Sequence, residues 1–357
     1  MNEDSTRNKR YQVGILGVTG AVGQRFLSML ADHPWFEVRS LMASERSAGK
    51  SLKSACHWYL DTPIPTGFAD WKIEPANPEW PLDLVFSGLD ASVAGPIEEL
   101  FAHSGIPVVT NTRNHRMDPD VPLIVPEINP EHLDLIPHQR CRFGSNGFIV
   151  TNPNCSTIIL SLALAPLHRM FRVRRLMVST LQGLSGAGYP GISALDILDN
   201  VIPYISGEEE KIALEPRKIF GETLESTIAF ADISISARCH RVGVRDGHMI
   251  TASVELDHPW DFDAILNAWR TFTSPIDTLA LPSAPHPCIL IADESNRPQS
   301  RKDRDAGNGM AVTVGRLSEC PILGLSFTVV GHNTIRGAAG GSILLAELLA
   351  ARGFLDF

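Results

Sequence analysis

The chain has 357 residues, of which 44% are hydrophobic and 20% charged, and this length and composition predict a globular protein with two domains. Its formal net charge is -9 and its basic residues are dispersed, a pattern that argues against nucleic-acid binding. Residues 1–10 are polar and the longest apolar stretch, 158–166, is about half as long as a membrane span, so we expect a cytoplasmic protein with a disordered start and neither a secretory signal nor a membrane anchor.

The first half of the chain alternates short β-branched runs with helical patterns, which predicts a parallel sheet flanked by helices. Between the first two predicted strands, Val22, Phe26, Met29 and Leu30 fall on one helical face. The predicted strands cover residues 12–16, 38–42, 82–87, 107–110, 122–125 and 149–151.

A glycine-rich turn follows the first predicted strand and leads into the first helix. Its G-x-x-G-x-x-G pattern is one residue looser than the usual dinucleotide-binding pattern. Glycines there permit a tight turn and close approach of the backbone to a pyrophosphate, and the helix N-terminus attracts phosphate charge. The alternative is a glycine-rich turn that binds nothing. The predicted cofactor contacts in this turn are Gly17, Thr19, Gly20, Ala21, Val22 and Gly23.

The loop after the second predicted strand bears on the choice between NAD and NADP. An NAD site usually has an acidic residue at the end of that strand, which binds the ribose hydroxyls. Here Ser44, Arg46 and Ser47 could instead bind a 2′-phosphate, with Lys50 nearby, whereas Glu45 argues the other way. NADP is therefore favoured, and a solvated loop is the alternative explanation of these charges.

Residues 152–156, with the sequence NPNCS, precede a strongly apolar segment of helical periodicity at 157–167. Cys155 is thus expected at a helix N-terminus, where the helix dipole lowers the pKa of a thiol from about 8.5. This makes Cys155 a candidate nucleophile, and a buried structural cysteine is the alternative. The six cysteines show no metal-ligand spacing, so we predict no metal site and expect reduced thiols.

From about residue 173 the pattern changes to longer alternating strands, which predict a second domain with a largely antiparallel sheet. The predicted strands are 174–182, 233–244, 249–256, 310–317 and 322–330, with a helix at 260–272. Residues 334–351 return to helical periodicity and could pack back on the first domain. The predicted domains are therefore 1–153 with 334–357, and 154–333.

A nucleophilic cysteine needs a group that moves protons, and His248 is the best-placed histidine. Asp246 and Gly247 predict a tight turn between two strands, a hairpin that would direct His248 into a cleft, and Arg241 in the same hairpin could bind a carboxylate. Glu208 and Lys211, three residues apart, share a helical face. A solvated surface helix would explain that pair equally well, and Arg116 in a turn-rich stretch is ambiguous by itself.

Taken together, these motifs resemble the aspartate-semialdehyde dehydrogenase family, particularly its archaeal and fungal branch, over essentially the whole chain. The motifs that carry the resemblance are 17–23 (GVTGAVG), 43–50 (ASERSAGK), 152–157 (NPNCST), 182–188 (QGLSGAG), 207–211 (GEEEK) and the segment from Arg241 to His248. It implies a Rossmann-type NADP-binding domain and an α+β catalytic and dimerisation domain. It also implies a homodimer or homotetramer.

The resemblance further implies roles for individual residues. Cys155 would be the nucleophile, His248 the acid/base and Gln182 the residue that orients the acyl-enzyme. Arg241 would bind the substrate carboxylate and Glu208 its amino group. The implied phosphate contacts are Lys211, Arg116 and Asn154, and the further cofactor contacts are Ser185, Gly186 and Asn333.

The implied reaction is the NADP-dependent conversion of L-aspartyl-4-phosphate to L-aspartate-4-semialdehyde and phosphate through a cysteine thioester, in lysine, threonine and methionine biosynthesis. One alternative is a malonyl-CoA reductase-like reduction of a CoA thioester, which uses the same cysteine and no phosphate. A protein that senses NADP(H) without turnover is another, although it has no use for Arg241 and His248.

Overall fold

The computed structural model describes residues 10–357, and the disordered start expected from the sequence falls on residues 1–9, outside them. The first sheet has six parallel strands in the order β3-β2-β1-β4-β5-β6. Its strands are β1 (Tyr11–Leu16), β2 (Phe36–Ala43), β3 (Glu74–Pro75), β4 (Leu84–Ser87), β5 (Val108–Thr110) and β6 (Ile149–Thr151). Its helices are α1 (Ala21–Leu30), α2 (Leu52–Ala55), α3 (Ala91–His103) and α4 (Ile136–Phe143).

The second sheet has the order β10-β7-β11-β14-β13-β12. Its central pairs are antiparallel and both edge pairs are parallel. The strands are β7 (Val173–Gln182), β10 (Ser234–Arg241), β11 (His248–Leu256), β12 (Ile289–Ala292), β13 (Val312–Cys320) and β14 (Gly324–Gly331), and β8 (Glu222–Thr223) pairs with β9 (Ile228–Ala229) apart from it. The helices are α5 (Cys155–Phe171), α6 (Ala194–Ile197), α7 (Glu208–Ile219), α8 (Phe262–Arg270), α9 (Ser300–Asp303) and α10 (Gly340–Ala351).

This architecture confirms the predicted fold class, with differences in detail. The strand predicted at 122–125 is wrong: only Leu123 bridges to Thr151, and Pro122 has no N–H to extend the ladder. The predicted hairpin between Arg241 and His248 is also wrong, because β7 lies between β10 and β11. None of the helices in the described part of the chain has the length and apolar character that a membrane crossing requires.

Helix α5 joins the two sheets. It begins just after β6 of the first sheet, and its side chains Ile158, Ile159 and Leu162 are buried in one core with strands of the second sheet. Helix α10, near the end of the chain, returns to the first sheet, since Ile343 and Leu344 are buried in the core of that sheet. The N-terminus of α5 therefore lies where the two sheets meet.

A buried ion pair joins Arg336 to Glu127. Arg336, in the π-helical turn Ile335–Ala339 before α10, donates from Nη1 and Nη2 to the two carboxylate oxygens of Glu127, both at 2.6 Å. Both side chains are almost completely buried. A buried charge that loses its partner is strongly destabilising.

We expect Arg336→Met to lower the free energy of unfolding by about 3–5 kcal/mol, because Glu127 is left buried without its counter-charge. Urea unfolding followed by circular dichroism measures the change. Arg352→Met, at an exposed position after α10, is the control. The double variant Glu127→Met/Arg336→Met should recover much of the loss, and a double variant as unstable as the single one would contradict this explanation.

Candidate active site

A cleft of about 340 Å³ lies at the junction of the two sheets. Among the elements that line it are the N-terminus of α1, the N-terminus of α5, the end of β7, the start of α7 and the segment after β14. The sequence-predicted residues that line it are Ala21, Val22, Arg116, Asn154, Cys155, Gln182, Ser185, Gly186, Glu208, Lys211 and Asn333. Segments that follow four strands of the parallel sheet, β1, β4, β5 and β6, and one edge of the second sheet thus converge on a single space.

Cys155 is the first residue of α5 and is partly exposed to this cleft. Asn154 caps the helix, since its Oδ1 accepts hydrogen bonds from the backbone N–H groups of Ser156 at 3.0 Å and Thr157 at 3.2 Å. Gly337 packs directly on the cysteine: a Cβ at position 337 would lie 2.5 Å from the Cβ of Cys155. The thiol is therefore held at the predicted helix start, between its own cap and a backbone that only glycine allows so close.

The pKa of Cys155 differs from the sequence-based expectation. Burial raises the pKa of this thiol to about 12, and the negative charge of Glu208 adds to the effect. Lys211, Arg116 and Arg241 act in the opposite direction without offsetting it. The predicted lowering of the pKa is thus wrong for the ligand-free protein, because burial and the nearby carboxylate of Glu208 raise it.

Glu208 connects the polar side chains of the cleft. Its carboxylate accepts hydrogen bonds from Lys211 Nζ at 2.6 Å, from Asn154 Nδ2 at 2.9 and 3.1 Å, and from Gln182 Nε2 at 3.3 Å. Burial opposes ionisation of Glu208, but Lys211, Asn154 and Gln182 together hold the pKa of this carboxyl below its usual value. An anionic carboxylate therefore holds a cation and two amides in place around the thiol.

Arg116 is fixed by a second buried carboxylate. Its Nη1 donates to Glu215 Oε1 at 2.9 Å and its Nη2 to the carbonyl of Asn111 at 2.6 Å, while the other oxygen of Glu215 accepts the N–H of Asn154 at 2.7 Å. Lys218 supports the same loop by donating to the carbonyls of Arg116, Asp118 and Val121. Burial lowers the pKa of Lys218 to about 8. The guanidinium of Arg116 is thus preorganised beside the helix that carries the thiol.

Glu215 and Lys218 were not predicted as site residues. They follow Glu208 and Lys211 on α7 at spacings of three, four and three residues, so all four side chains lie on one helical face. That spacing was visible in the sequence. The contact of Gly337 with Cys155 had only a weak signal, the glycine-rich segment 337–341, because it joins parts of the chain that are far apart.

Arg241, Gln182 and His248 lie side by side at one edge of the second sheet. Arg241 pairs in register with Gln182, and Met249, next to His248, pairs with Leu181. The nearness expected from a hairpin thus arises from three neighbouring strands. His248 is fully buried rather than projecting into the cleft, since the loop 183–188 covers it.

The imidazole of His248 is neutral and has a defined tautomer. Burial lowers its pKa to about 3, and the charge of Arg241 contributes. Its Nδ1 accepts the N–H of Gly183 at 3.1 Å, so the proton is on Nε2, which is buried and has no hydrogen-bond partner in the described structure. Gly186 packs directly on this pair, since a Cβ there would lie 2.9 Å from Arg241 Nη1 and 3.2 Å from His248 Nε2.

The glycine-rich turn has the geometry that a dinucleotide requires. Gly17 has a φ of +81°, which favours glycine, and a Cβ at Gly23 would lie 2.1 Å from the carbonyl oxygen of Gly17. Gly20 caps α1, and the turn that contains Thr19 leads directly to Ala21 and Val22 in the cleft. These residues fit a pyrophosphate at the N-terminus of α1.

The loop predicted to select the cofactor lies next to this turn. The N–H groups of Gly17 and Val18 donate to the carbonyl of Met42, just before Ser44. Ser44 and Arg46 are exposed and Ser47 is half-buried, outside the cleft and available to a ligand that extends from it. At the other end, Asn333 Nδ2 donates to Ser185 Oγ at 2.8 Å.

Comparison with known proteins agrees with this geometry. Residues 12–136 match the family model described as semialdehyde dehydrogenase, NAD binding domain, and residues 164–336 match semialdehyde dehydrogenase, dimerisation domain. The aspartate-semialdehyde dehydrogenase of Archaeoglobus fulgidus is 48% identical over 341 residues, which cover 95% of this chain and 98% of the relative. That of Methanothermobacter thermautotrophicus is 49% identical over 94% and 98% of the two chains.

The chain belongs to the aspartate-semialdehyde dehydrogenase family. A solved structure agrees: the Candida albicans aspartate semialdehyde dehydrogenase with NADP superposes with a TM-score of 0.89, at 40% identity over 97% of this chain and 100% of that one. The resemblance stated from the motifs, including its archaeal and fungal character, is therefore confirmed.

The raised pKa of Cys155 predicts an unusual pH dependence of alkylation in this member of the aspartate-semialdehyde dehydrogenase family. Since only the thiolate reacts, the rate of Cys155 alkylation by iodoacetamide in the ligand-free protein should rise by about tenfold per pH unit from pH 7 to 10, without a plateau. Mass spectrometry of the Cys155 peptide measures it. The other charged groups that face the thiol are Glu208, Lys211, Arg116 and Arg241. A plateau below pH 9 would show a thiolate already stabilised by the helix terminus.

Proposed function

We propose that the chain is an NADP-dependent aspartate-semialdehyde dehydrogenase that converts L-aspartyl-4-phosphate to L-aspartate-4-semialdehyde and phosphate, reversibly, in lysine, threonine and methionine biosynthesis. The observation that carries the proposal is the cleft in which Cys155, Glu208, Lys211 and Arg116 meet. A thiol, a carboxylate for an ammonium group and two cations for a phosphate are the groups that this substrate needs. The cofactor, when bound, would supply the hydride as NADPH and accept it as NADP in the reverse direction.

Cofactor binding is proposed for the turn at 17–23, with Ser44, Arg46 and Ser47 at the 2′-phosphate and Ser185, Gly186 and Asn333 at the cleft end. The φ of Gly17 and the open N-terminus of α1 support the pyrophosphate part. Exposure of Arg46 beside the turn supports the 2′-phosphate part. The nicotinamide would then lie near Cys155, because Ala21, Val22 and Gly186 line the same cleft.

The proposed chemistry begins with attack of the Cys155 thiolate on the acyl carbon of aspartyl phosphate. The S–C bond forms, the bond from the acyl carbon to the phosphate oxygen breaks, and phosphate leaves toward Lys211 and Arg116, with Asn154 beside it. Hydride delivery to the thioester gives a thiohemiacetal. Its collapse regenerates the thiolate and releases the aldehyde, and the backbone N–H groups at the start of α5 can stabilise the oxyanion.

Glu208 is proposed to exchange partners during this cycle. In the ligand-free protein it holds Lys211 at 2.6 Å and its charge raises the pKa of Cys155. A substrate ammonium group at Glu208 would compensate that charge and free Lys211 for phosphate. Binding of the amino-bearing substrate would therefore both favour the thiolate and complete the phosphate site.

Arg241, His248 and Gln182 are proposed to act from the edge of the second sheet. Arg241 would bind the substrate carboxylate and His248 Nε2 would exchange the proton with the reacting oxygen, and both groups lie directly behind Gly186, which lines the cleft. Gln182, hydrogen-bonded to Glu208, would orient the acyl group. A neutral imidazole with its proton on Nε2 is a suitable donor to a developing oxyanion.

We propose domains at 1–153 with 334–357 and at 154–333, and a homodimer or homotetramer assembled through the second. Burial of α10 in the core of the first sheet supports the assignment of residues 334–357 to the first domain.

The second sheet is covered on one face by α5. Its other face carries Met177, 52% exposed, Leu181, 39% exposed, and Thr251. A sheet face that no helix within residues 10–357 is seen to cover, and that exposes Met177 and Leu181 among polar side chains such as Ser179 and Thr251, fits an interface with a second copy in a region that matches a dimerisation domain. A cytoplasmic location suits a reactive thiol that must stay reduced.

We expect Cys155→Ser to lower turnover of aspartate semialdehyde, NADP and phosphate by at least about 1000-fold while leaving NADP affinity nearly unchanged, because the hydroxyl is a much weaker nucleophile. NADPH absorbance and cofactor titration measure the two effects. Cys141→Ser, at an exposed position on α4, is the matched control.

The same assay separates the alternative functions. NADPH oxidation should be fast with β-aspartyl phosphate and absent with malonyl-CoA, since a CoA thioester has no ammonium group for Glu208. Rapid oxidation with malonyl-CoA would favour the CoA-thioester reductase, and NADP binding without any turnover would favour a sensor.

For the interface, we expect Met177→Asp to convert the oligomer to a smaller species, because two carboxylates would be buried at the contact between copies. Light scattering after gel filtration measures the mass. Met170→Asp, 49% exposed at the end of α5, should leave the mass unchanged. An unchanged mass for Met177→Asp would place the interface elsewhere.

A further inference from the structure

A second cavity of about 250 Å³ adjoins the cleft beside the N-terminus of α7. Three cationic residues, Arg113, Arg116 and Lys211, line both spaces and so form their common wall. The second cavity is completed by Met117, Gly207, Glu210, Leu214 and Glu215. A small oxyanion in the outer cavity would therefore face the same cations that face the thiol's cleft.

The three cations differ in how their charges are compensated. Lys211 pairs with Glu208 at 2.6 Å and Arg116 pairs with Glu215 at 2.9 Å. Arg113 is exposed and makes no ion pair or side-chain hydrogen bond within residues 10–357. Of the three cations, Arg113 is thus the one without an ion-pair partner, and the nearby carboxylate of Asp90 interacts with it electrostatically.

The side chain of Arg113 is exposed, whereas the backbone next to it is held by hydrogen bonds. The loop that follows it is held by Asn114, which donates to the carbonyl of Ala91 at 2.9 Å, and by Lys218, which donates to the carbonyl of Arg116 at 2.8 Å. The guanidinium lies beside the start of α7, since a Cβ at Gly207 would be 3.7 Å from Arg113 Nη1. The positive end of α7 adds to the field there.

We propose that this outer cavity is a docking site for inorganic phosphate, in which Arg113 captures the anion before it passes to Lys211 and Arg116. The inference rests on the proposed function, and it gives phosphate an entrance separate from the main cleft, which cofactor and acyl-enzyme occupy together. The exposed carboxylate of Glu210 lines the same cavity and opposes the anion. Glu215 does not, because Arg116 and Asn154 take both of its oxygens.

The test compares two steps of the oxidative reaction. Mixing enzyme with aspartate semialdehyde and NADP without phosphate should give a burst of NADPH that reports thioester formation, and phosphate-dependent turnover reports the later step. Arg113→Ala should raise the KM for phosphate roughly tenfold, equivalent to about 1.4 kcal/mol, and change the burst rate less than about twofold. Arg113→Lys should keep part of the affinity, and Glu210→Gln should lower this KM below that of the unmodified protein.

Controls separate this site from general charge effects. Arg270→Ala removes an exposed arginine at the end of α8 and should leave the KM for phosphate unchanged. In the reductive direction the phosphoryl group arrives attached to the acyl group through the main cleft, so the KM for β-aspartyl phosphate should not change in Arg113→Ala. An equal rise of both KM values would place Arg113 at the reaction position and overturn the docking site, as would an unchanged KM for phosphate.

A binding measurement makes the result independent of catalysis. Calorimetric titration of the NADP-loaded protein with inorganic phosphate should show weaker binding for Arg113→Ala and tighter binding for Glu210→Gln. If the unmodified protein fails to oxidise aspartate semialdehyde but shows this pattern, the proposed function fails and the phosphate site stands. If turnover is normal and phosphate affinity is the same in all variants, the site fails and the function stands.

Discussion

The buried carboxylate of Glu208 is the interaction on which the rest of the site depends. A charge in this position must be fully compensated, and its partners are Lys211, Asn154 and Gln182, which come from α7, the cap of α5 and the end of β7. One side chain therefore sets the positions of a cation, a helix cap and an amide around the thiol. It also sets the ionisation of that thiol, because its charge adds to burial in raising the pKa of Cys155.

Two helices bring these groups together. Helix α5 begins at the edge of the first sheet and is buried against the second. Its first residue, Cys155, therefore lies where the two sheets meet. Helix α7 presents Glu208, Lys211, Glu215 and Lys218 on one face, and the last two fix Arg116 and its loop. The polar groups of the site are thus positioned by helices, and the loop at 183–188 covers His248.

Patterns local in sequence predicted much of this structure. Alternation of strands and helices gave the parallel sheet, and the turn at 17–23 and the helix start at Cys155 followed from glycine geometry and from the apolar periodicity after Asn154. The grouping of Glu208 and Lys211 with Cys155 came from the family resemblance, and the cleft lining agrees with it.

The features that were predicted wrongly or missed depend on contacts between residues far apart in the sequence. The short connection between Arg241 and His248 predicted a hairpin. Strand order depends on packing, however, and β7 lies between β10 and β11. The helix dipole alone predicted a lowered pKa for Cys155, yet Glu208, distant in sequence, and the surrounding packing reverse the sign. Gly337 is close to Cys155 only because α10 returns to the first sheet.

The exchange of partners at Glu208 is tested most directly by a crystal structure with NADP, phosphate and an unreactive analogue that carries the substrate's amino and carboxylate groups. The account predicts the analogue's ammonium within about 3 Å of Glu208, and Lys211 Nζ moved from its 2.6 Å contact with that carboxylate onto the phosphate. An intact pair between Lys211 and Glu208, with the ammonium bound elsewhere, would contradict it.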